Sequence, residues 1–176
     1  MVALYEDLSP LGSKQFDIVL SNFGGLNCTS NLRGVAEQVS LHLKPGGYAI
    51  AVVMPPFSLW ETFAYAFRGK IREAIRRIRP NGTETQFSGN KFTVYYFSRR
   101  RMSEAFSEQF DVVETYALNV LSPPPHAWNI RRRFPHLTAG LEKIDDLTCH
   151  LPLFRSIGDH TVIVMRKKAQ SLCGSR

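Results

Sequence analysis

Two polar residues and a glycine pair follow an apolar run near the start of this sequence. The run FDIVL, from Phe16 to Leu20, leads into Ser21-Asn22 and then Gly24-Gly25. Such a run predicts a strand that ends in a loop. Glycine leaves room for a ligand to come close to the backbone, and ligands of open α/β sheets bind where the strands end. Asn22 is therefore a candidate binding group, although Asn is also an ordinary turn residue after a strand.

The segment after this loop completes a strand–helix–strand unit. The apolar spacing predicts a helix over 29–43, which Thr29 or Ser30 can cap. The KPGG turn at 44–47 ends this helix. The apolar run at 48–54 predicts a strand covered on both faces. This order is that of a βαβ unit, which implies parallel strands.

A single long helix is predicted over 59–78, with an apolar stripe on one face and basic residues on the other. The stripe consists of Phe63, Phe67, Ile71, Ile75 and Ile78.

The remaining elements follow from the same patterns of spacing and turn residues. In chain order, the prediction is a short strand at 2–4, a hairpin around Gly89-Asn90, a helix capped by Ser98, a strand at 111–121, one or two helices within 127–150, and a last strand at 160–167.

Composition limits the class of protein. The 176 residues are 44% hydrophobic, which is typical of a folded domain. No apolar run reaches the roughly 18 residues of a transmembrane helix, and the N-terminus does not have the pattern of a secretory signal. Cys28, Cys149 and Cys173 lack the spacing of a metal site, so we expect free thiols, no metal and a cytoplasmic location.

The net charge of +7 is concentrated in three clusters, at 68–79, 99–101 and 131–133. A basic excess is typical of proteins that bind nucleic acid or an anionic membrane surface. It is also common on solvated helix faces, which is the interpretation we favour here. No stacking platform or nucleic-acid motif accompanies the charge, so nucleic acid is the less favoured partner.

Four segments together resemble the C-terminal two-thirds of a class I S-adenosylmethionine-dependent methyltransferase. They are LYEDLSPL, FDIVLSNFGGLN, LHLKPGGYAIAVV and GDHTVIVM, and the match covers residues 2–166. The resemblance implies an α/β, Rossmann-like sheet of parallel strands with an antiparallel last strand. It implies a partial methyltransferase domain at 1–168, a helix and hairpin insertion at about 57–98, and a flexible tail at 169–176.

The resemblance also implies S-adenosylmethionine as cofactor and a small organic molecule as methyl acceptor. The residues expected to contact the cofactor are Asp7, Leu8, Ser21, Asn22 and Phe23.

The acceptor is expected at the same edge of the sheet, because an antiparallel last strand begins where the parallel strands end. This places His160 at the rim as a base or acceptor contact, together with Asn27, Phe57 and Trp60. An ordinary structural role is the alternative for each of them. The catalytic residue is not identified, and Asn22 and His160 are the candidates.

One part of the expected family pattern is missing. No G-x-G occurs in the sequence, so the glycine-rich cofactor loop is absent. The strand at Phe16 also comes about 60 residues too early for two preceding βαβ steps. The edge of that strand would then have no partner, which favours self-association. A truncated gene product, a degenerate relative and one half of a two-chain enzyme are the three explanations.

Three functions therefore compete. The first is methyl transfer to a small organic acceptor. The second is a non-catalytic remnant that pairs with another methyltransferase chain. The third is a basic binding module for nucleic acid or an acidic partner.

Overall fold

The computed structural model describes residues 4–169. The helices are α1 Leu32–His42, α2 Leu59–Ala66, α3 Ile71–Ala74, α4 Arg99–Phe106, α5 Trp128–Arg133 and α6 Pro135–Thr148. The strands are β1 Phe16–Ser21, β2 Leu43–Val53, β3 Thr83–Phe87, β4 Asn90–Val94, β5 Phe110–Leu118 and β6 His160–Lys167. Short 3-10 turns lie at Ser9–Leu11, Gly25–Cys28, Arg76–Ile78, Pro125–Ala127 and Phe154–Ser156.

Four strands form the main sheet in the order β1-β2-β6-β5. β1 and β2 are parallel, whereas β6 is antiparallel to both β2 and β5. The carboxyl ends of β1 and β2 therefore lie at the same edge as the start of β6. The predicted α/β sheet with an antiparallel last strand is confirmed, and β6 has the predicted bounds.

The turn KPGG does not precede the second strand but bulges out within it. Phe16 pairs with Leu43, yet Ile18 pairs with Tyr48, so three extra residues of β2 are accommodated between these pairs. The predicted caps of the preceding helix are also wrong. Asn31 caps α1, its side-chain oxygen accepting a hydrogen bond from the Gly34 amide at 3.0 Å.

The core covers one face of the sheet. Most of its buried members come from β2, β6, α1 and α4: Leu32, Val35, Ala36, Val39, Leu43, Ala49, Ala51, Val53, Met102, Phe106, Ile163 and Met165. Leu26, Phe97 and Phe110 complete it. The opposite face is more open around β1, where Ile18 is 57% exposed and Leu20 is 59% exposed. The strand predicted at 48–54 was expected to be covered on both faces. That prediction is wrong at the start of the segment, where Tyr48 is 37% exposed.

The predicted long helix over 59–78 is wrong. The segment forms α2, a turn at Gly69 with φ of +70°, α3 and the 3-10 turn. The stripe meant for the core is exposed, to 87% at Phe67, whereas Arg77 is buried. The physical reason is that Arg77 pairs with two buried carboxylates, which requires this part of the segment to turn the Arg77 side chain inward.

The predicted hairpin is present, with its turn at Ser88-Gly89, one residue earlier than expected. Both turn residues have positive φ, 49° and 84°, which suits a two-residue hairpin. The strand predicted at 111–121 ends earlier, at Leu118, because Asn119 adopts a φ of 52°.

Some predictions fall largely outside the described residues. These are the strand at 2–4, of which only Leu4 is described and forms an isolated bridge with Asp7, the tail at 169–176 beyond Ala169, and the thiol of Cys173. Among residues 4–169, no helix is long and apolar enough to cross a bilayer.

Candidate functional site

Two depressions meet at the sheet edge formed by the ends of β1 and β2 and the start of β6. The first, here called the β1 groove, has a volume of about 440 Å³ and runs along β1. The second, here called the cap cleft, has a volume of about 450 Å³ and lies under α2. Met54, at the end of β2, lines the cap cleft and packs against Gly24, the glycine that follows β1. The two depressions are therefore neighbours.

The β1 groove contains three of the five residues predicted to contact a cofactor. Leu8, Ser21 and Asn22 line it, whereas Asp7 and Phe23 do not. Most other lining side chains are apolar, including Leu11, Ile18, Leu20, Leu26 and Ile50. Phe23 is 88% exposed and has a φ of 52°, a backbone conformation that is unusual for a bulky residue.

The polar groups of the β1 groove are few. Asn22 acts in part as an ordinary turn residue, because its side-chain oxygen accepts a hydrogen bond from the Phe23 amide at 2.8 Å. No described residue accepts a hydrogen bond from the Asn22 amide nitrogen or the Ser21 hydroxyl. These two donors are the groups that the groove offers to a ligand.

The glycine pair makes room for protein side chains. A methyl group added at Gly25 would lie 2.5 Å from the Tyr5 hydroxyl oxygen, and one at Gly24 would lie 3.1 Å from the Met54 methyl carbon. The space beside Gly24-Gly25 that was expected to admit a ligand is thus filled by the side chains of Tyr5 and Met54. This loop is packed, and a ligand would lie beside it and not within it.

Asn27 joins three segments. Its side-chain nitrogen donates to the carbonyl oxygens of Met54 and Tyr95, and its side-chain oxygen accepts from the Met54 amide at 2.9 Å. The residue is fully buried. This arrangement fixes the loop after β1 to the end of β2 and to the hairpin. The predicted contact of Asn27 with an acceptor stays a prediction, and we assign the side chain a scaffolding role.

The cap cleft brings together two of the residues predicted to contact an acceptor, Trp60 and His160. Trp60 comes from the start of α2, which Ser58 caps through the amide of Glu61. His160 is the first residue of β6. Phe57 is half-buried and does not line the cleft.

Asp159 orients the imidazole of His160. Its Oδ2 lies 3.1 Å from His160 Nδ1, so Nδ1 is the protonated nitrogen in the neutral ring and Nε2 is left as the basic nitrogen. Burial raises the pKa of Asp159, but the hydrogen bond from His160 and the nearby Arg77 guanidinium outweigh it and lower that pKa to about 2. The carboxylate is therefore charged at neutral pH.

Arg77 connects the Asp159–His160 pair to α2. Its Nη2 donates to Asp159 Oδ1 at 2.8 Å and to Glu61 Oε2 at 2.6 Å, and its Nη1 donates to the Asp159 carbonyl oxygen at 2.9 Å. Arg76 Nε adds a bond to Glu61 Oε1 at 2.8 Å. Burial raises the pKa of Glu61, yet the two guanidiniums outweigh it and lower that pKa. The ion pairs of Arg76 and Arg77 with Glu61 and Asp159 thus hold the cap cleft together.

The sequence did not reveal the roles of Glu61 and Arg77. Arg77 lies 82 positions from Asp159, and nothing local in the sequence connects them. The only local signal is Glu61 itself, an acid within the otherwise apolar stretch LWETFAYAF.

These groups define what the site can do. A basic imidazole nitrogen held by a carboxylate can accept a proton from a bound nucleophile, and Trp60 provides an apolar wall for an organic molecule. The β1 groove fits one side of a nucleoside-sized ligand, with apolar surface and two free donors. The glycine-rich loop that would form the other side is not in the sequence.

Several solved structures with the same fold are S-adenosylmethionine-dependent methyltransferases. A candidate enzyme of this kind from Listeria monocytogenes matches with a TM-score of 0.56 at 15% identity, over 94% of this chain and 67% of that one. One from Clostridium acetobutylicum matches with a TM-score of 0.56 at 8% identity, over 96% and 64%. The CcbJ methyltransferase from Streptomyces caelestis matches with a TM-score of 0.54 at 12% identity, over 96% and 63%.

This chain spans about two thirds of the length of these proteins. No protein-family model and no curated protein matches its sequence. The order of the strands, the antiparallel β6 and these structural likenesses agree with one another. The described part of this chain has the fold of the class I S-adenosylmethionine-dependent methyltransferases.

Proposed function

We propose that this chain contributes the acceptor side of a methyl transfer from S-adenosylmethionine to a small organic molecule. The observation that carries the proposal is the Asp159–His160 pair, which faces the cap cleft beside Trp60. The neighbouring β1 groove lies where the donor would have to bind for the two molecules to meet.

In this proposal, His160 Nε2 accepts the proton of the acceptor hydroxyl or amine as that group attacks the methyl carbon. Asp159 keeps Nδ1 protonated and stabilises the imidazolium that forms. Met54 and Trp60 hold the acceptor in line, since much of the rate of such transfers comes from positioning. When bound, S-adenosylmethionine supplies a methyl group on a positively charged sulfur that leaves as a neutral thioether.

On the donor side, we propose that Leu8, Ser21 and Asn22 contact the cofactor. Ser21 and Asn22 each have a free donor for its polar groups, and Leu8 belongs to the apolar wall. The glycine-rich loop that would complete the cofactor site lies outside these 176 residues, and it would come either from the same polypeptide or from a second one. The exposed β1, with Ile18 and Leu20 at the surface, is the side on which such a polypeptide would add.

The proposal is tested in two steps. Calorimetric titration of S-adenosylhomocysteine into the 176-residue chain measures donor binding, and micromolar affinity is the expected result if self-association completes the groove. Transfer of a radiolabelled methyl group to a panel of phenols, amines and carboxylates then measures activity. His160→Gln is expected to lower transfer at least about a hundredfold without changing S-adenosylhomocysteine affinity. Equal transfer by His160→Gln and the parent would rule out the imidazole as base.

The alternative is a non-catalytic chain that pairs with an intact methyltransferase. The open β1 supports it, because an unpaired strand edge is a template for another chain. Under this alternative the 176-residue chain binds no S-adenosylhomocysteine, and it copurifies with a larger methyltransferase from its natural source.

A further inference from the structure

An apolar depression opens at the outer surface of α2. Trp60, Phe63, Phe67 and Ile130 line it, and we call this set the Phe67 surface. The rings of Phe63 and Phe67 are 6.3 Å apart, and these side chains are 54% and 87% exposed. Clustered, exposed aromatic side chains of this kind mark interaction sites.

The segments that form this surface are rich in positive charge. Residues 62–83 contain six Lys or Arg and one acid, and residues 115–141 contain three Arg and no acid. Of these nine cations, Arg76, Arg77 and Arg131 form ion pairs. The other six form no ion pair with any residue in the described range 4–169. They are Arg68, Lys70, Arg72, Arg79, Arg132 and Arg133.

Trp128, at the start of α5, is another exposed aromatic side chain with a cation beside it. Its ring is 57% exposed, and the Arg132 guanidinium lies 5.3 Å from the ring centre. An indole with a cation beside it suits the boundary between headgroups and acyl chains, since the ring prefers that depth and the cation contacts phosphate. Arg68 adds a cation to the lining of the Phe67 surface itself.

We propose that the Phe67 surface docks onto an anionic lipid bilayer. Charge complementarity decides the choice of partner, because the segments that form this apolar surface carry six cations without an ion pair in the described range, a combination that matches anionic headgroups over hydrocarbon. Phe63 and Phe67 enter the boundary region, and the cations bind the headgroups. A nucleic acid would pair with the cations and leave the aliphatic Ile130 without a matching apolar surface.

The docked orientation has a consequence for the acceptor, which rests on the proposed function. Trp60, Ala64, Arg68 and Ile130 line both the Phe67 surface and the cap cleft. The two depressions therefore share a wall, so a molecule held in the bilayer at the Phe67 surface would lie next to the cap cleft. The acceptor class that fits this arrangement is amphiphilic, with an apolar body and a nucleophilic polar end that reaches His160.

The test uses the full chain with vesicles and needs no enzymatic activity. Trp60 and Trp128 are the two tryptophans of the sequence, so their fluorescence reports docking directly. Vesicles of phosphatidylglycerol mixed with phosphatidylcholine are expected to shift this emission to shorter wavelength and to float with the protein. Pure phosphatidylcholine vesicles are expected to bind at least about tenfold more weakly, and high salt to weaken binding to the anionic vesicles.

Two pairs of variants separate a docking surface from general adsorption of a basic protein. Phe63→Ser with Phe67→Ser, and separately Lys70→Glu with Arg72→Glu, are each expected to weaken vesicle binding at least about tenfold. Leu4→Ser with Leu41→Ser is the apolar control, since both side chains are exposed elsewhere. Arg33→Glu with Arg100→Glu is the control with the same change in charge.

Circular dichroism establishes that each variant is folded before it is compared. Retained vesicle binding by both control pairs, with loss in both test pairs, supports the proposal. Absence of binding to the anionic vesicles would overturn it, and so would equal loss in the test and control pairs. Binding of a single-stranded oligonucleotide in place of vesicles would assign the surface to nucleic acid. None of these outcomes depends on whether S-adenosylhomocysteine binds.

Discussion

The β1 groove and the cap cleft lie at one edge of the same sheet, but they are built differently. The cap cleft is held by charged side chains that bond to one another, with Arg77 at the centre between Glu61 and Asp159. The β1 groove is mostly apolar, and its two free donors belong to Ser21 and Asn22. The cap cleft is therefore a self-contained site, whereas the β1 groove is one wall of a site that a ligand or a second chain would complete.

The largest expected effect comes from Arg77→Met. The change leaves the buried Glu61 and Asp159 without their shared cation, so we expect the free energy of unfolding to fall by about 4 kcal/mol. Urea unfolding followed by circular dichroism measures the loss. Arg76→Met is the control, because Arg76 is less buried than Arg77 and its one ion pair in the described range is with Glu61, and a loss of about 1 kcal/mol is expected. Equal losses would show that the buried network does not hold the cleft.

Asn27→Ala tests the connection between the two depressions. It leaves the Met54 amide and the carbonyls of Met54 and Tyr95 without their partner, and we expect the free energy of unfolding to fall by about 3 kcal/mol. Asn22→Ala is the matched change in the β1 groove, with an expected loss under about 0.5 kcal/mol. If Asn22→Ala were the more destabilising of the two, the assignment of Asn27 as scaffold and Asn22 as binding group would be wrong.

The charge of Asp159 predicts how the cap cleft responds to acid. The pKa of Asp159 is about 2 in the folded chain against a reference value of 3.8, so its contribution to stability is complete above pH 3.8 and lost as the pH falls to about 2. The lowered pKa corresponds to about 2 kcal/mol. Asp159→Asn is expected to remove that part of the acid dependence. Urea unfolding at a series of pH values between about 6 and about 2 measures the difference. An unchanged slope would contradict the pairing of Asp159 in solution.

The smallest effect on stability is expected at the open strand. Ile18→Lys alters an exposed side chain of β1, so the free energy of unfolding should change by less than about 0.5 kcal/mol. Its effect should instead be on association, since a charge on an exposed strand hinders edge-to-edge pairing. Sedimentation velocity over a range of concentrations measures this. A parent chain that stays monomeric would show that β1 is not a self-association site.

The elements that were predicted correctly are those with a local signal. β1 and β6 are apolar runs with clear ends, and α4 starts at Ser98, whose hydroxyl caps the helix by accepting from the Arg101 amide at 3.2 Å. The long helix failed although its apolar spacing continues to Ile78, because Gly69 adopts a φ of +70° and ends the helical path. Beyond that residue the direction of the chain is set by Arg77, whose partners Glu61 and Asp159 are distant in the sequence.

The same reason explains why only part of the candidate site was predicted. Ser21, Asn22, Trp60 and His160 follow from the ends of predicted strands and from the family resemblance, and the structure places them at one sheet edge. Asn27 was predicted as an acceptor contact together with the residues that the family resemblance places at this edge. Only the packed structure shows that its amide is consumed by Met54 and Tyr95.

The sequence by itself determined the strand–helix–strand core, the position of the last strand and the lack of a G-x-G pattern, since these depend on neighbouring residues and their spacing. The antiparallel direction of the last strand was implied by the family resemblance. Tertiary structure alone decided which side of the segment 59–78 faces inward. Burying Arg77 between two carboxylates satisfies three charges at once, and this outweighs the burial of Phe67. That choice forms the cap cleft and leaves the Phe67 surface exposed.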